Sequence, residues 1–347
     1  MRYPLTILLL VLTLIGCMSE DSKEFTRVTI EPVYLDSLSI RAIEPLDADR
    51  VWFAANAGRV GLIDKGVPKL ATIKYQDSLL NFRSVAATSE AAFVLSIGSP
   101  AVLYRIGFDG VEATSIEEVY VESGEGVFYD AMAFWNDLEG IAMGDPVDGC
   151  LSIILTSDGG KSWSKVKCTE IPPIKEGEAA FAASNSNIAL YGQQAWIVTG
   201  GNHARVFHSP DKGSSWEVFD TPIVQGGAMT GIYSVDFRDG QNGIIFGGDW
   251  EQKNGNTANK AISSDGGKTW KLVSDGMGPG YRSSVRYVPG TEGRGIVALG
   301  SPGISYSTDG GEGWIELSDE GFYALEFVND SLAFASGRNR IVKLKFE

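Results

Sequence analysis

Ser263-Ser264-Asp265-Gly266-Gly267-Lys268-Thr269-Trp270 is one of four copies of a single phrase: hydroxyl residue, any residue, Asp, any residue, Gly, any residue, small residue, Trp. The others are Thr156-Ser157-Asp158-Gly159-Gly160-Lys161-Ser162-Trp163, Ser209-Pro210-Asp211-Lys212-Gly213-Ser214-Ser215-Trp216 and Ser307-Thr308-Asp309-Gly310-Gly311-Glu312-Gly313-Trp314. Their aspartates lie 53, 54 and 44 positions apart. A phrase returning at such an interval marks one supersecondary unit stacked repeatedly, so the repeat decides the fold.

Each position has a mechanical role. The Asp carboxylate accepts backbone N–H groups of a tight turn. The Gly two places on takes a positive φ that other residues avoid. The Trp offers a broad apolar plate to a neighbouring unit. Strand-like runs flank the copies, such as Leu151–Leu155 before the first and Trp270–Val273 after the third. Asp158, Asp211, Asp265 and Asp309, with Trp163, Trp216, Trp270 and Trp314, are therefore read as scaffolding of hairpin turns rather than catalytic groups.

The phrase resembles the Asp-box, or BNR repeat, of sialidases, sortilin-type receptors and photosystem II assembly or stability factors. Ala133-Phe134-Trp135-Asn136-Asp137-Leu138-Glu139-Gly140-Ile141-Ala142-Met143-Gly144 and Val235-Asp236-Phe237-Arg238-Asp239-Gly240-Gln241-Asn242-Gly243-Ile244-Ile245-Phe246-Gly247 precede their copies as in the assembly-factor group. The resemblance spans about Phe128 to Leu317 and implies an all-β propeller. Weaker turns at Asp109 and Asp64 extend the series by 49 and 45 positions. Three strand-like runs remain after the sixth turn, at 322–328, 331–336 and 340–346, and Arg27–Tyr34 could supply a fourth. The expectation is a seven-bladed β-propeller, closed by pairing the N-terminal strand with the C-terminal blade, which removes free edges. It would occupy residues 27–347 as a single domain after a linker at 18–26.

Residues 1–17 stand apart. Arg2 precedes an apolar run from Leu5 to Ile15, too short for a permanent membrane helix and suited to a secretion signal. Leu14-Ile15-Gly16-Cys17 resembles a bacterial lipobox, which implies cleavage before Cys17 and acyl chains carried on that residue. The expected location is the cell envelope, anchored through Cys17, on either face of an outer membrane. Cys150 lies six residues before the first full turn and Cys168 six after its Ser162, so a hairpin would bring the two together. In an oxidising compartment a disulfide is expected; two buried thiols are the alternative. No cysteine spacing suits a metal, and no metal or cofactor is expected. A formal net charge of −15 repels phosphate backbones and disfavours nucleic acid as a partner.

Propellers bind ligands where inner strands begin, over the central channel. Aligning those starts places Arg41, Arg83, Asp130, Glu178, Tyr233, Arg282 and Tyr323 at one position per blade. Loops between second and third strands add Asn56, Asp145, Asn202, Asp249, Trp250 and Arg338. Converging arginines fit a carboxylate or phosphate. A ring of mutual ion pairs that plugs the channel is the competing reading.

Three functions compete. The first is a monomeric, non-enzymatic propeller that binds a protein, peptide or glycan, as an assembly or stability factor would. The second is a sialidase-like glycoside hydrolase, for which the Arg-Ile-Pro signature is missing: Ala42-Ile43 follows Arg41 and Ser84-Val85 follows Arg83. The third is an oxidoreductase, for which no dinucleotide fingerprint is present. No catalytic residue is assigned, and the two histidines, His203 and His208, give little material for a triad.

Overall fold

The computed structural model describes residues 24–347, almost all of them in strands and turns. Cys17, the apolar run before it and most of the 18–26 linker lie outside the described residues. Antiparallel sheets stand around a central axis, and successive innermost strands are neighbours all the way round. Alternation of Val, Ile, Ala and Phe along the inner strands gives each sheet two apolar faces. These faces meet the sheets on either side and form a series of buried clusters between them.

The blade count differs from the expected seven. Counted as continuous hydrogen-bonded sheets among the described residues, the ring has six blades, accompanied by a two-stranded hairpin at Lys74–Tyr75 and Ser78–Leu79. The cause is the 18-residue strand Val28–Pro45. Its first half pairs with Leu332–Phe346 and its second half with Arg50–Ala55. The units expected as first and last thus share a strand and merge into one six-stranded sheet. Between Val33 and Glu44 the chain has neither Gly nor Pro to interrupt the strand. Register shifts between Leu35 and Ser39 and between Ile40 and Ala42 accommodate the change of partner.

Each copy of the recurring phrase is the turn between the third and fourth strands of its unit. In the first, the Gly160 N–H donates to Thr156 Oγ1 at 3.0 Å and the Ser162 N–H to Asp158 Oδ1 at 3.0 Å. The same two bonds recur as Gly213 to Ser209 and Ser215 to Asp211, Gly267 to Ser263 and Thr269 to Asp265, and Gly311 to Ser307 and Gly313 to Asp309. Burial pushes the Asp158, Asp211 and Asp265 carboxyls up, but donors from the turn outweigh it and hold them below the usual range. Gly160 has φ +72, and a Cβ there would fall 2.1 Å from the Phe93 ring. The turns also bond to the first hairpin of their own units, Gly159 N–H to Leu138 O and Gly266 N–H to Gln241 O. They therefore occupy the face opposite the starts of the inner strands.

The Trp of each phrase is a wedge between sheets. Trp163 meets Phe93 of the preceding sheet at 6.4 Å between ring centres. Trp314 meets Phe246 of its preceding sheet at 5.7 Å, edge to face. Trp216 and Trp270 join the clusters that fill the next two junctions. Cys150 and Cys168 are joined by a disulfide, with Cα atoms 5.6 Å apart.

Candidate functional site

The face carrying the inner-strand starts is crossed by a segment that the sequence reading treated as an ordinary strand. The inner strand of the fourth unit begins at Ile188, not near Glu178, and the chain before it lies across the channel. Ser184 Oγ donates to Ser283 O at 2.6 Å on one side of the ring. Asn185 Nδ2 donates to Val85 O at 2.9 Å on the other, and Asn185 Oδ1 accepts from the Met132 N–H at 2.9 Å. Phe181 stacks on Tyr233 with ring centres 4.0 Å apart and planes 4° from parallel. Asn185 takes φ +62, a left-handed turn that Asn tolerates. This strap links the inner strands of three other units across the channel.

Around the strap, half of the expected ring assembles. The Arg41 guanidinium sits 4.3 Å above the centre of the Tyr323 ring, and its Nη1 reaches Ala183 O at 3.4 Å. Arg83 Nη1 reaches Ala182 O at 3.4 Å. Burial, then the charge of Arg41, lowers the proton affinity of Arg83. Neither arginine has a carboxylate within ion-pair distance among the described residues, and the same holds for exposed Arg338. Arg338 lines a shallow hollow with Ser37, Ser39, Asn56 and Tyr323. Asn56 is spent on the backbone, accepting from the Ser39 N–H at 2.8 Å.

The acidic members lie deeper. Asp130 is fully buried, and neither carboxylate oxygen has a hydrogen-bond partner. The Ala182 amide approaches it without reaching bonding geometry. Burial, then the neighbouring Asp145, pushes the Asp130 carboxyl well up. Asp145 is raised by burial as well, and accepts from the Ala180 N–H at 2.8 Å. Arg41, Arg83 and exposed Arg338 give the Tyr323 side of the mouth three guanidinium groups on a chain of net charge −15, while Asp249 and Glu251 lie near Tyr233.

Other expected members are engaged elsewhere. Glu178 is buried against Arg205, with Nη2 to Oε2 at 2.5 Å, and accepts from Thr199 Oγ1 at 2.6 Å and the Lys175 N–H at 2.9 Å. Arg282 turns outward within its own sheet, donating to Ser305 Oγ at 2.8 Å and pairing with Glu316 at 3.2 Å. The Tyr233 hydroxyl donates to Met229 O at 2.9 Å, beneath Phe181. Asp249 caps its own loop by accepting from the Glu251 N–H, and exposed Asn202 lies against Gly177. Trp250 is 43% exposed at the rim, with Lys253 Nζ 4.6 Å from its ring centre.

Further down the channel is a charged group that the sequence reading did not single out. Arg286 pairs with Glu326 and lies near Asp236 and Glu44. Burial, then Glu326, pushes Glu44 up to about 8 against the opposing pull of Arg286. These residues hold equivalent positions near the ends of four inner strands, a periodicity that alignment of strand ends as well as starts would have exposed. Among the described residues no cluster of His, Cys, Asp or Glu is placed to hold a metal ion. No helix there is long and apolar enough to cross a membrane.

No family model and no curated protein matches the chain. Solved structures do. YCF48 bound to a D1 peptide superposes with TM-score 0.65 at 13% identity, over 94% of this chain and 97% of that one. YCF48 from Cyanidioschyzon merolae gives 0.59 at 15% identity, over 93% and 99%. The WD40 repeats of RRP9 give 0.60 at 13%, over 92% and 98%. At such identities the likeness concerns fold alone, and the chain is an all-β propeller similar in shape to YCF48 and to WD40 proteins.

Proposed function

We propose that this protein is a non-enzymatic binding propeller, exported and held at a bacterial membrane through acylated Cys17, whose cationic mouth receives the acidic group of a peptide or protein partner. The observation that carries this reading is the pair Arg41 and Arg83. Both are half-buried beside Tyr323, each makes a long bond to a strap carbonyl, and neither has a carboxylate within ion-pair distance among the described residues. Arg83 feels the charge of buried Asp130, whose carboxyl burial pushes well up, and a half-buried guanidinium with no carboxylate at ion-pair distance favours an anionic ligand with bidentate geometry. A fold neighbour solved with a peptide supports peptide as the ligand class. An assembly or stability role is a finer version of the same reading. Sialidase-like chemistry is not favoured, because Glu178 and Arg282 are bound into structural pairs.

The test is crosslinking and affinity capture from native membranes with wild type and Arg41→Ala/Arg83→Ala. The reading expects at least one partner to be lost from the double variant while its melting temperature is kept. An unchanged partner set would refute the role of the mouth.

A further inference from the structure

The junction between the first two units lacks the wedge found at the four later ones. The second unit turns at Asp109-Gly110-Val111-Glu112, a tight hairpin with Asp109 opposite Glu112 and no Trp in the turn or the outer strand. Where an indole fills the later junctions, Phe108 packs on Trp52 here, ring centres 5.6 Å apart, and a cleft of about 290 Å³ opens beside the pair. Its walls include Trp52, Leu62 and Leu70 from one sheet and Ile106, Val111 and Ile116 from the next. Leu70 is 42% and Ile116 48% exposed, unusual for large apolar side chains facing a shared hollow. Trp52 is 5% exposed and its indole N–H has no acceptor. Trp216, Trp270 and Trp314 each donate to a Gly carbonyl of their own turn, whereas Trp163, like Trp52, has no acceptor among the described residues.

The edge beside this cleft is also distinct. Glu112–Glu122 is an outer strand of 11 residues, against two to four in the four units that carry the full phrase. It pairs on one side only. Bulges interrupt its register at both ends and leave Ser115–Glu118 as an uninterrupted run. A one-sided strand of this length is a template for another chain. On the cleft side this edge carries Glu112, which pairs with Lys69, and Glu118, which lies near Tyr104; Glu117 takes the opposite face.

We propose that this cleft is a docking site for an extended segment of a partner protein. The segment adds to the free edge of Glu112–Glu122 and seats one aromatic side chain where the fold omits its own tryptophan. Basic residues flank that aromatic side chain and answer the glutamates. The site is remote from Arg41 and Arg83 and independent of the mouth.

A fluorescein-labelled decapeptide copying Ser264–Val273, which carries the Trp of a full phrase with Lys268 and Lys271 on either side, serves as probe against the full chain in an anisotropy titration. Saturable binding is expected, weakened about tenfold or more when the peptide carries Trp270→Ala. The same loss is expected in the protein variant Ala113→Trp, which fills the cleft from within. Ile116→Lys, at an exposed position, should also weaken binding and does not depend on Ala113→Trp folding. Ala113→Ser and Arg41→Ala/Arg83→Ala should bind as wild type does, which separates this site from the mouth. Absence of saturable binding by wild type, equal binding of the Trp-free peptide, or undiminished binding by Ile116→Lys would each overturn the proposal.

Discussion

Replacing Glu178 by Gln tests whether this carboxylate builds the protein or binds for it. Its side chain is 0% exposed and that of Arg205 6%, and the guanidinium meets it through Nε and Nη2. Removing one partner of such a pair leaves an uncompensated charge in a dry setting, which costs about 3–5 kcal/mol. Glutamine keeps one oxygen able to accept from Arg205 or Thr199, so the lower end, about 3 kcal/mol, is expected. In a chain of this size that corresponds to a fall in melting temperature of roughly 6 °C or more, at about 2 °C per kcal/mol. Replacing both residues, Glu178→Leu with Arg205→Met, removes both charges and should restore most of the loss. Thermal melts and urea midpoints of the three variants measure this directly. A drop below about 2 °C for Glu178→Gln, or a double variant as unstable as the single, would show that the pair does not hold the root of the strap as argued.

Two further outcomes follow from the same physical reasoning. Glu44 has its folded-state proton affinity raised to about 8, so the native state holds a proton that the unfolded chain releases, and stability falls as pH rises from the ordinary carboxyl range through 8. Because the side chain keeps some solvent access, Glu44→Gln should gain about 2 kcal/mol over wild type at pH 9 and almost nothing at pH 4, measured by urea denaturation at both values. Reducing the Cys150–Cys168 disulfide, which spans 18 positions, should cost about 3 kcal/mol by freeing the unfolded loop. A melting temperature unmoved by reductant, with free thiols verified, would contradict this.

Local features were the legible ones. A hydroxyl, an Asp and a Gly within five residues satisfy one another's backbone groups, so the recurring turns and the face they occupy could be read without knowing any distant contact. Register at the ends of the ring was not legible, because the strand Val28–Pro45 changes partners midway with no residue that marks the change. The strap was hidden for a related reason. Phe181-Ala182-Ala183-Ser184-Asn185 has the composition of a strand start, and only the bonds of Ser184 to Ser283 and of Asn185 to Val85 and Met132, 50 to 100 residues away, reveal its course. Arg282 was misplaced because its partner, Glu316, lies on the outer strand of the same unit. Arg41, Arg83 and Tyr323, aligned at one position per blade, lie near one another, although nothing in the sequence showed that one guanidinium would lie on the Tyr323 ring.

The shared strand imposes an order on assembly. Val28 faces Phe346, and the Thr26 N–H donates to Glu347 O at 2.8 Å. Residues synthesised near the beginning must therefore wait, half-paired, for residues synthesised some 300 positions later. Until then the nascent chain presents an open apolar seam, and this interval is when a chaperone would be most needed.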